Sequence, residues 1–110
     1  MKTLFILNAT PDGHEAVHNS LRLAAALAKR ERNAVRIYLM GDGVACARLG
    51  SAGAASLEAI PANANCDIGV CGSCMGARSI TNMDLIPGAH RGTLEELADW
   101  SEWADQILTF

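Results

Sequence analysis

The sequence predicts an α/β fold: one three-layer α/β/α domain built on a mostly parallel sheet of about five strands. Short apolar runs such as Leu4-Phe5-Ile6-Leu7 read as strands covered on both faces. They alternate with stretches of helical periodicity, the pattern of a parallel sheet flanked by helices. At 110 residues there is room for one core, and no internal repeat or second domain is visible, so the domain spans residues 1–110.

Residues 2–8 form the first strand, stopped by Asn8-Ala9-Thr10-Pro11-Asp12-Gly13. A helix follows from His14 to about Arg32, with Val17, Leu21, Ala24, Ala25 and Ala28 on one face. Lys29, Arg30 and Arg32 suit the negative pole at its end. Residues 35–40 are a second strand, halted by Gly41-Asp42-Gly43, and residues 44–49 a short helix. Residues 50–65, rich in Ala, Gly, Ser and Asn with Pro61 inside, are expected to be the least ordered part, with a turn of helix at 56–60.

Residues 68–71 are the third strand, and residues 73–77 open a helix or tight loop. Leu85-Ile86 reads as a very short fourth strand, ended by Pro87-Gly88. Thr93 and Glu96 are spaced as a capping box, each satisfying the other's free N–H, for a helix running to about Asp105. Residues 107–110 close the sheet.

Composition narrows the function. A net charge of −3 gives no basic field for nucleic acid. The opening apolar run is too short for a signal-peptide core, and no stretch approaches a membrane span. Four unevenly spaced cysteines without an export signal argue for free or reactive thiols in the reducing cytosol, not a disulfide framework. Half the residues are apolar and 19% charged, a balance that suits partial burial by a partner subunit.

The chemistry concentrates in Cys71-Gly72-Ser73-Cys74 with Arg78. A thiol reacts as its thiolate, and a helix start and a nearby cation both stabilise that anion. On a first helical turn the two thiols lie side by side, so they could cycle as a dithiol, or one could carry sulfur for the other to resolve. The bland reading is two small buried hydrophobes at a strand end. Zinc needs a second pair, and Cys46 and Cys66 stand alone. The thioredoxin order places its pair after an early strand, and here the pair follows the third.

Three other patterns read as structure. His14-Glu15-Ala16-Val17-His18 matches H-E-x-x-H, but it opens the first helix and has no evident third ligand. Gly41-Asp42-Gly43 is too short for a nucleotide loop, and Asp42 would repel a phosphate. Trp100 and Trp103, spaced along a helix face, suit the core or a subunit interface.

Taken in order, these residues resemble the DsrE/DsrF-like family, most closely its small YchN-type members. The resemblance runs through Asn19-Ser20-Leu21-Arg22-Leu23-Ala24, Leu39-Met40-Gly41-Asp42-Gly43-Val44 and the Cys71–Arg78 segment. It continues in Gly92-Thr93-Leu94-Glu95-Glu96-Leu97-Ala98-Asp99-Trp100 and Ala104-Asp105-Gln106-Ile107-Leu108-Thr109-Phe110.

The resemblance implies a three-layer fold, a homo-oligomer (trimer or hexamer), and sulfur relay between donor and acceptor proteins. In it Cys71 carries a persulfide, Cys74 resolves or tunes it, and Arg78 stabilises the thiolate, with no metal or organic cofactor required. A dithiol redox module and a non-catalytic oligomeric binding protein are the alternatives. Two departures stand out. Ser79 replaces the glycine that usually follows the arginine, which strains the chain if that position is left-handed. The stretch between Gly50 and Cys66 is shorter and less helical than in relatives.

Overall fold

The computed structural model describes residues 1–60 and 65–110. Five strands form one all-parallel sheet: β1 (Lys2–Leu7), β2 (Ala34–Leu39), β3 (Cys66–Cys71), β4 (Ala89–Gly92) and β5 (Gln106–Thr109). Their spatial order is β4-β3-β2-β1-β5. Four α-helices connect them: α1 (Glu15–Ala28), α2 (Ala52–Glu58), α3 (Gly72–Ala77) and α4 (Leu94–Trp103).

Side-chain alternation along the strands builds two unequal cores. Phe5, Leu7, Ile37, Leu39, Ile68 and Val70 point to one face, packed by α1, α2 and the start of α3. Leu4 and Tyr38 point to the other, where Leu97 and Trp100 of α4 cover them. Only α4 packs this second face among the described residues, so Trp100 belongs to a core. Trp103 is half-buried, with the Arg36 guanidinium 4.0 Å from its ring.

This wiring fixes the functional edge. The connection leaving β3 starts on the first face with Met75 of α3, and the connection leaving β4 runs to the second face in α4. Neighbouring strands that exit to opposite faces leave a crevice at their carboxyl ends, the usual ligand position in open α/β sheets. That switch point lies between β3 and β4, where Cys71 stands in register with Gly92.

Several elements differ from the sequence expectation. Leu85-Ile86 is not a strand: Leu85 makes an isolated antiparallel bridge with Arg48, and the Ile86 N–H donates to the Ala47 carbonyl at 2.8 Å. The fourth strand begins after Gly88, whose φ of +90° turns the chain into Ala89-His90-Arg91-Gly92. As an edge strand it carries polar residues that hide its pattern.

The short helix expected at 44–49 is a 3-10 helix over Gly41–Ala47. Residues 50–60 are more regular than expected, because the Ser51 hydroxyl accepts from the Ala54 N–H and starts α2. Pro61 and the rest of residues 61–64 lie outside the described residues.

α1 ends at Ala28, so the three cations fall beyond its last turn, where the Arg30 guanidinium donates to the Ala26 carbonyl at 3.1 Å. α4 ends at Trp103. The Asp105 carboxylate then accepts from the Lys2 N–H at 2.9 Å, tying the approach to β5 onto β1.

Only half of the expected capping box forms. The Thr93 hydroxyl accepts from the Glu96 N–H at 3.2 Å, but the Glu96 carboxylate turns to His90 Nε2 at 2.8 Å. A reciprocal box occurs instead between Thr81 and Asp84.

Candidate functional site

β3 delivers Cys71 to the carboxyl edge of the sheet, and the chain turns there into α3. Cys71 is the N-cap residue of that helix, so the N–H groups of its first turn converge near the thiol. Gly72 lets Arg91 cross this corner closely: a Cβ there would press on Arg91 Nε at 2.8 Å and crowd the Gly92 carbonyl oxygen at 3.2 Å. Cys74 stands on the first turn of α3, and Arg78 caps its end.

The structure therefore brings Cys71, Cys74 and Arg78 together, as their spacing predicts. Burial pushes the Cys71 thiol up. The Cys74 N–H and thiol, the Ser73 N–H and the Arg78 guanidinium together outweigh it and hold Cys71 below the ordinary thiol value. Cys74 moves the opposite way: burial and the neighbouring Cys71 raise it, against the Gly41 N–H and Arg78. One thiol is thus poised as the anion and the other as its hydrogen-bond donor.

The other cysteines are separate and passive. Cys46 is fully buried, donates to the Ala9 carbonyl at 3.6 Å, and is pushed up to about 11 by burial and then by Asp12. Cys66 is pushed up to about 12 by burial and then by Asp67. All four thiols are free.

Sequence reasoning set aside Asp42 as part of a structural turn, yet its carboxylate reaches the site. Arg78 Nη2 and Nε donate to Asp42 Oδ1 at 2.8 and 3.1 Å, and Nη1 donates to the Cys74 carbonyl at 3.2 Å. The turn is tight: Gly41 has φ +52°, and a Cβ on Gly43 would collide with the Leu7 carbonyl oxygen. Its position at a strand's carboxyl end was the available signal.

Tyr38 lies buried on the second face beneath Gly92. Its hydroxyl donates to the Thr93 carbonyl at 2.8 Å, joining β2 to the turn after β4. Burial, then the negative potential of Cys71 and Glu96, raise it to about 12, which keeps the phenol protonated.

Arg78 is followed by a left-handed residue, Ser79, at φ +55°. The Ile80 N–H donates to the Met75 carbonyl at 3.0 Å and the Ser79 N–H to the Gly76 carbonyl at 3.2 Å. This is a Schellman ending, with Ile80 and Met75 buried against it and serine where glycine is favoured.

His14, Glu15 and His18 stay exposed at the start of α1 and do not line the hollow at Cys71. Among the described residues no group of three or more His, Cys, Asp or Glu side chains is placed to hold a metal ion.

The DsrE/DsrF-like family model matches residues 1–110. The chain belongs to the DsrE/DsrF-like family. Within it, YchN of Escherichia coli is 38% identical over 99% of this chain and 98% of its own length. The uncharacterized protein MJ0989 of Methanocaldococcus jannaschii is 30% identical over the full length of both chains.

The crystal structure of E. coli YchN superposes with a TM-score of 0.89 at 36% identity, covering 100% of this chain and 99% of that one. MTH1491 from Methanobacterium thermoautotrophicum, a protein of unknown function, shares the fold alone: TM-score 0.76 at 14% identity, covering 97% of each chain. In this DsrE/DsrF-like chain, no helix among the described residues is long and apolar enough to cross a membrane.

Proposed function

We propose that this protein is a sulfur carrier: Cys71 accepts persulfide sulfur and passes it to a partner protein. One observation carries the reading. Of the four thiols, only Cys71 lies below the ordinary value, and it stands half-exposed in the crevice at the switch point. Membership of a family known in sulfur relay supports it.

In loading, the Cys71 thiolate attacks the outer sulfur of a donor persulfide, R–S–SH. A new S–S bond forms as the donor's breaks, and the donor leaves as its thiolate. In delivery, an acceptor thiolate attacks the same outer sulfur and Cys71 departs. A thiol of lowered pKa is a good leaving group, so the groups that activate Cys71 for loading also assist delivery. No external oxidant enters either step.

The closeness of Cys74 to Cys71 favours a second reading, a dithiol redox module. Attack by Cys74 on the inner sulfur of the Cys71 persulfide would expel hydrosulfide and leave a disulfide. Mass analysis after a persulfide donor separates the two: the carrier retains one added sulfur, whereas the redox module loses two hydrogens. A thiol that gains no sulfur from any donor sinks the carrier reading.

We place this activity in the reducing cytoplasm and in a homo-oligomer, a trimer or hexamer. The sheet face covered, among the described residues, only by α4, and the exposed Leu94 and Ile107, support a subunit contact. A single-protomer mass by light scattering would contradict it.

A further inference from the structure

The site contains two arginines in different situations. Arg78 is ion-paired with Asp42, as described above. Arg91 has no ion pair and no side-chain hydrogen bond among the described residues. It stands opposite Val70 on the strand next to β3 and lines the same hollow as Cys71. Its place follows from Gly72, since a side chain there would occupy the space of Arg91 Nε and Cγ.

Arg91 forms part of the wall of two hollows. One, of about 350 Å³, is lined by Cys71, Gly72, Ser73, Gly92, Thr93 and Leu94 together with Arg91. The other, of about 680 Å³, runs from Arg91 past Gly76, Ser79 and Ile80 to Asn82 and Met83. The first is large enough for a small thiol compound. It offers such a ligand one nucleophilic sulfur, one unpaired cation, polar groups of Ser73 and Thr93, and the apolar side chain of Leu94.

We propose that Arg91 is a specificity-determining residue that binds the carboxylate of a low-molecular-weight persulfide donor in the hollow beside Cys71. This rests on the carrier reading and names the class of its donor. Guanidinium is the side chain best matched to a carboxylate, because its fork can donate two parallel N–H bonds. With the chain at net charge −3, the attraction is local to this edge and not a general pull on anions. In the transfer step, Arg91 holds the donor while the Cys71 thiolate attacks its outer sulfur. The donor's S–S bond breaks, and R–S⁻ leaves.

The test uses two pairs of probes that differ in charge. Iodoacetate and iodoacetamide alkylate the same thiolate, one carrying a carboxylate and one an amide. Glutathione persulfide and its ester differ in the same sense as sulfur donors.

In Arg91→Gln the iodoacetate-to-iodoacetamide rate ratio at Cys71 should fall by about fivefold, the scale of a partly exposed ion pair. The ratio for acid over ester donor should fall in parallel. Arg91→Lys should retain most of the preference, and high salt should bring the wild type toward the Gln variant.

Unchanged ratios in Arg91→Gln overturn the proposal, as does an equal loss with both probes of a pair. Normal sulfur uptake without charge discrimination overturns the anion site alone. Intact alkylation selectivity without sulfur uptake overturns the carrier reading, and with it the assignment of the anion as a sulfur donor.

Discussion

Arg78 rests two nitrogens on a single oxygen of Asp42, at 2.8 and 3.1 Å, across a sequence separation of 36 residues. The same guanidinium favours the Cys71 thiolate, so the carboxylate holds in place a cation that it also partly offsets. Asp42→Asn keeps an oxygen for Arg78 and removes the opposing charge. The pH curve for alkylation of Cys71 should move to lower pH in this variant and to higher pH in Arg78→Gln. Shifts in the same direction would contradict this opposition. The pair is exposed, so both shifts should shrink in high salt.

Cys74 acts on Cys71 chiefly as a donor. Cys74→Ala removes the thiol that favours the Cys71 anion, so at fixed pH a smaller thiolate fraction should slow alkylation. Cys74→Ser keeps an O–H donor and should retain most of the rate. Faster alkylation in Cys74→Ala would show that Cys74 does not stabilise the anion.

Ser79 is a non-glycine residue in the left-handed region, at φ +55°. Ser79→Gly should stabilise the fold by roughly 1 kcal/mol, the cost of a Cβ in that conformation less the extra entropy of unfolded glycine. Urea unfolding monitored by circular dichroism reads this directly. A lower midpoint in the glycine variant would mean that the serine side chain supplies a compensating contact.

Alkaline pH should weaken the fold through Cys46. Its folded value is raised from 9.0 to about 11, so above pH 9 the unfolded chain releases this proton first. The unfolded state then binds fewer protons, and stability falls with rising pH until about 11. The slope from this one group is at most about 1.4 kcal/mol per pH unit. Cys66 and Tyr38, also raised, act in the same direction. Cys46→Ala should flatten the dependence between pH 9 and 11, whatever it does to stability at neutral pH. An unchanged slope would rule out Cys46 as the group responsible.

The sequence carried the sheet where burial is two-sided, found the apolar edge strand β5, and lost the polar edge strand β4. Leu4-Phe5-Ile6-Leu7 and the segment ending at Val70-Cys71 are apolar because helices or partner strands cover them, and both were legible. Ala89-His90-Arg91-Gly92 pairs on one side only, so its pattern is diluted and the apolar Leu85-Ile86 took its place.

The capping box failed for a tertiary reason. Glu96 has the right spacing, but His90 on β4 lies 2.8 Å from its carboxylate. The site was legible where its residues belong to one short helix and its two caps, as Cys71, Cys74 and Arg78 do. Asp42 and Arg91 come from other strand ends, and only the sheet order brings them to Cys71.

The most direct test of the central claim is peptide-resolved mass analysis after brief exposure to one equivalent of a persulfide donor at neutral pH. The account predicts one added sulfur on Cys71, none on buried Cys46 or on Cys66 with its raised pKa, and loss of that uptake in Cys71→Ser. Equal uptake by Cys71→Ser, or a sulfur that lands on Cys74 with Cys71 intact, would contradict it.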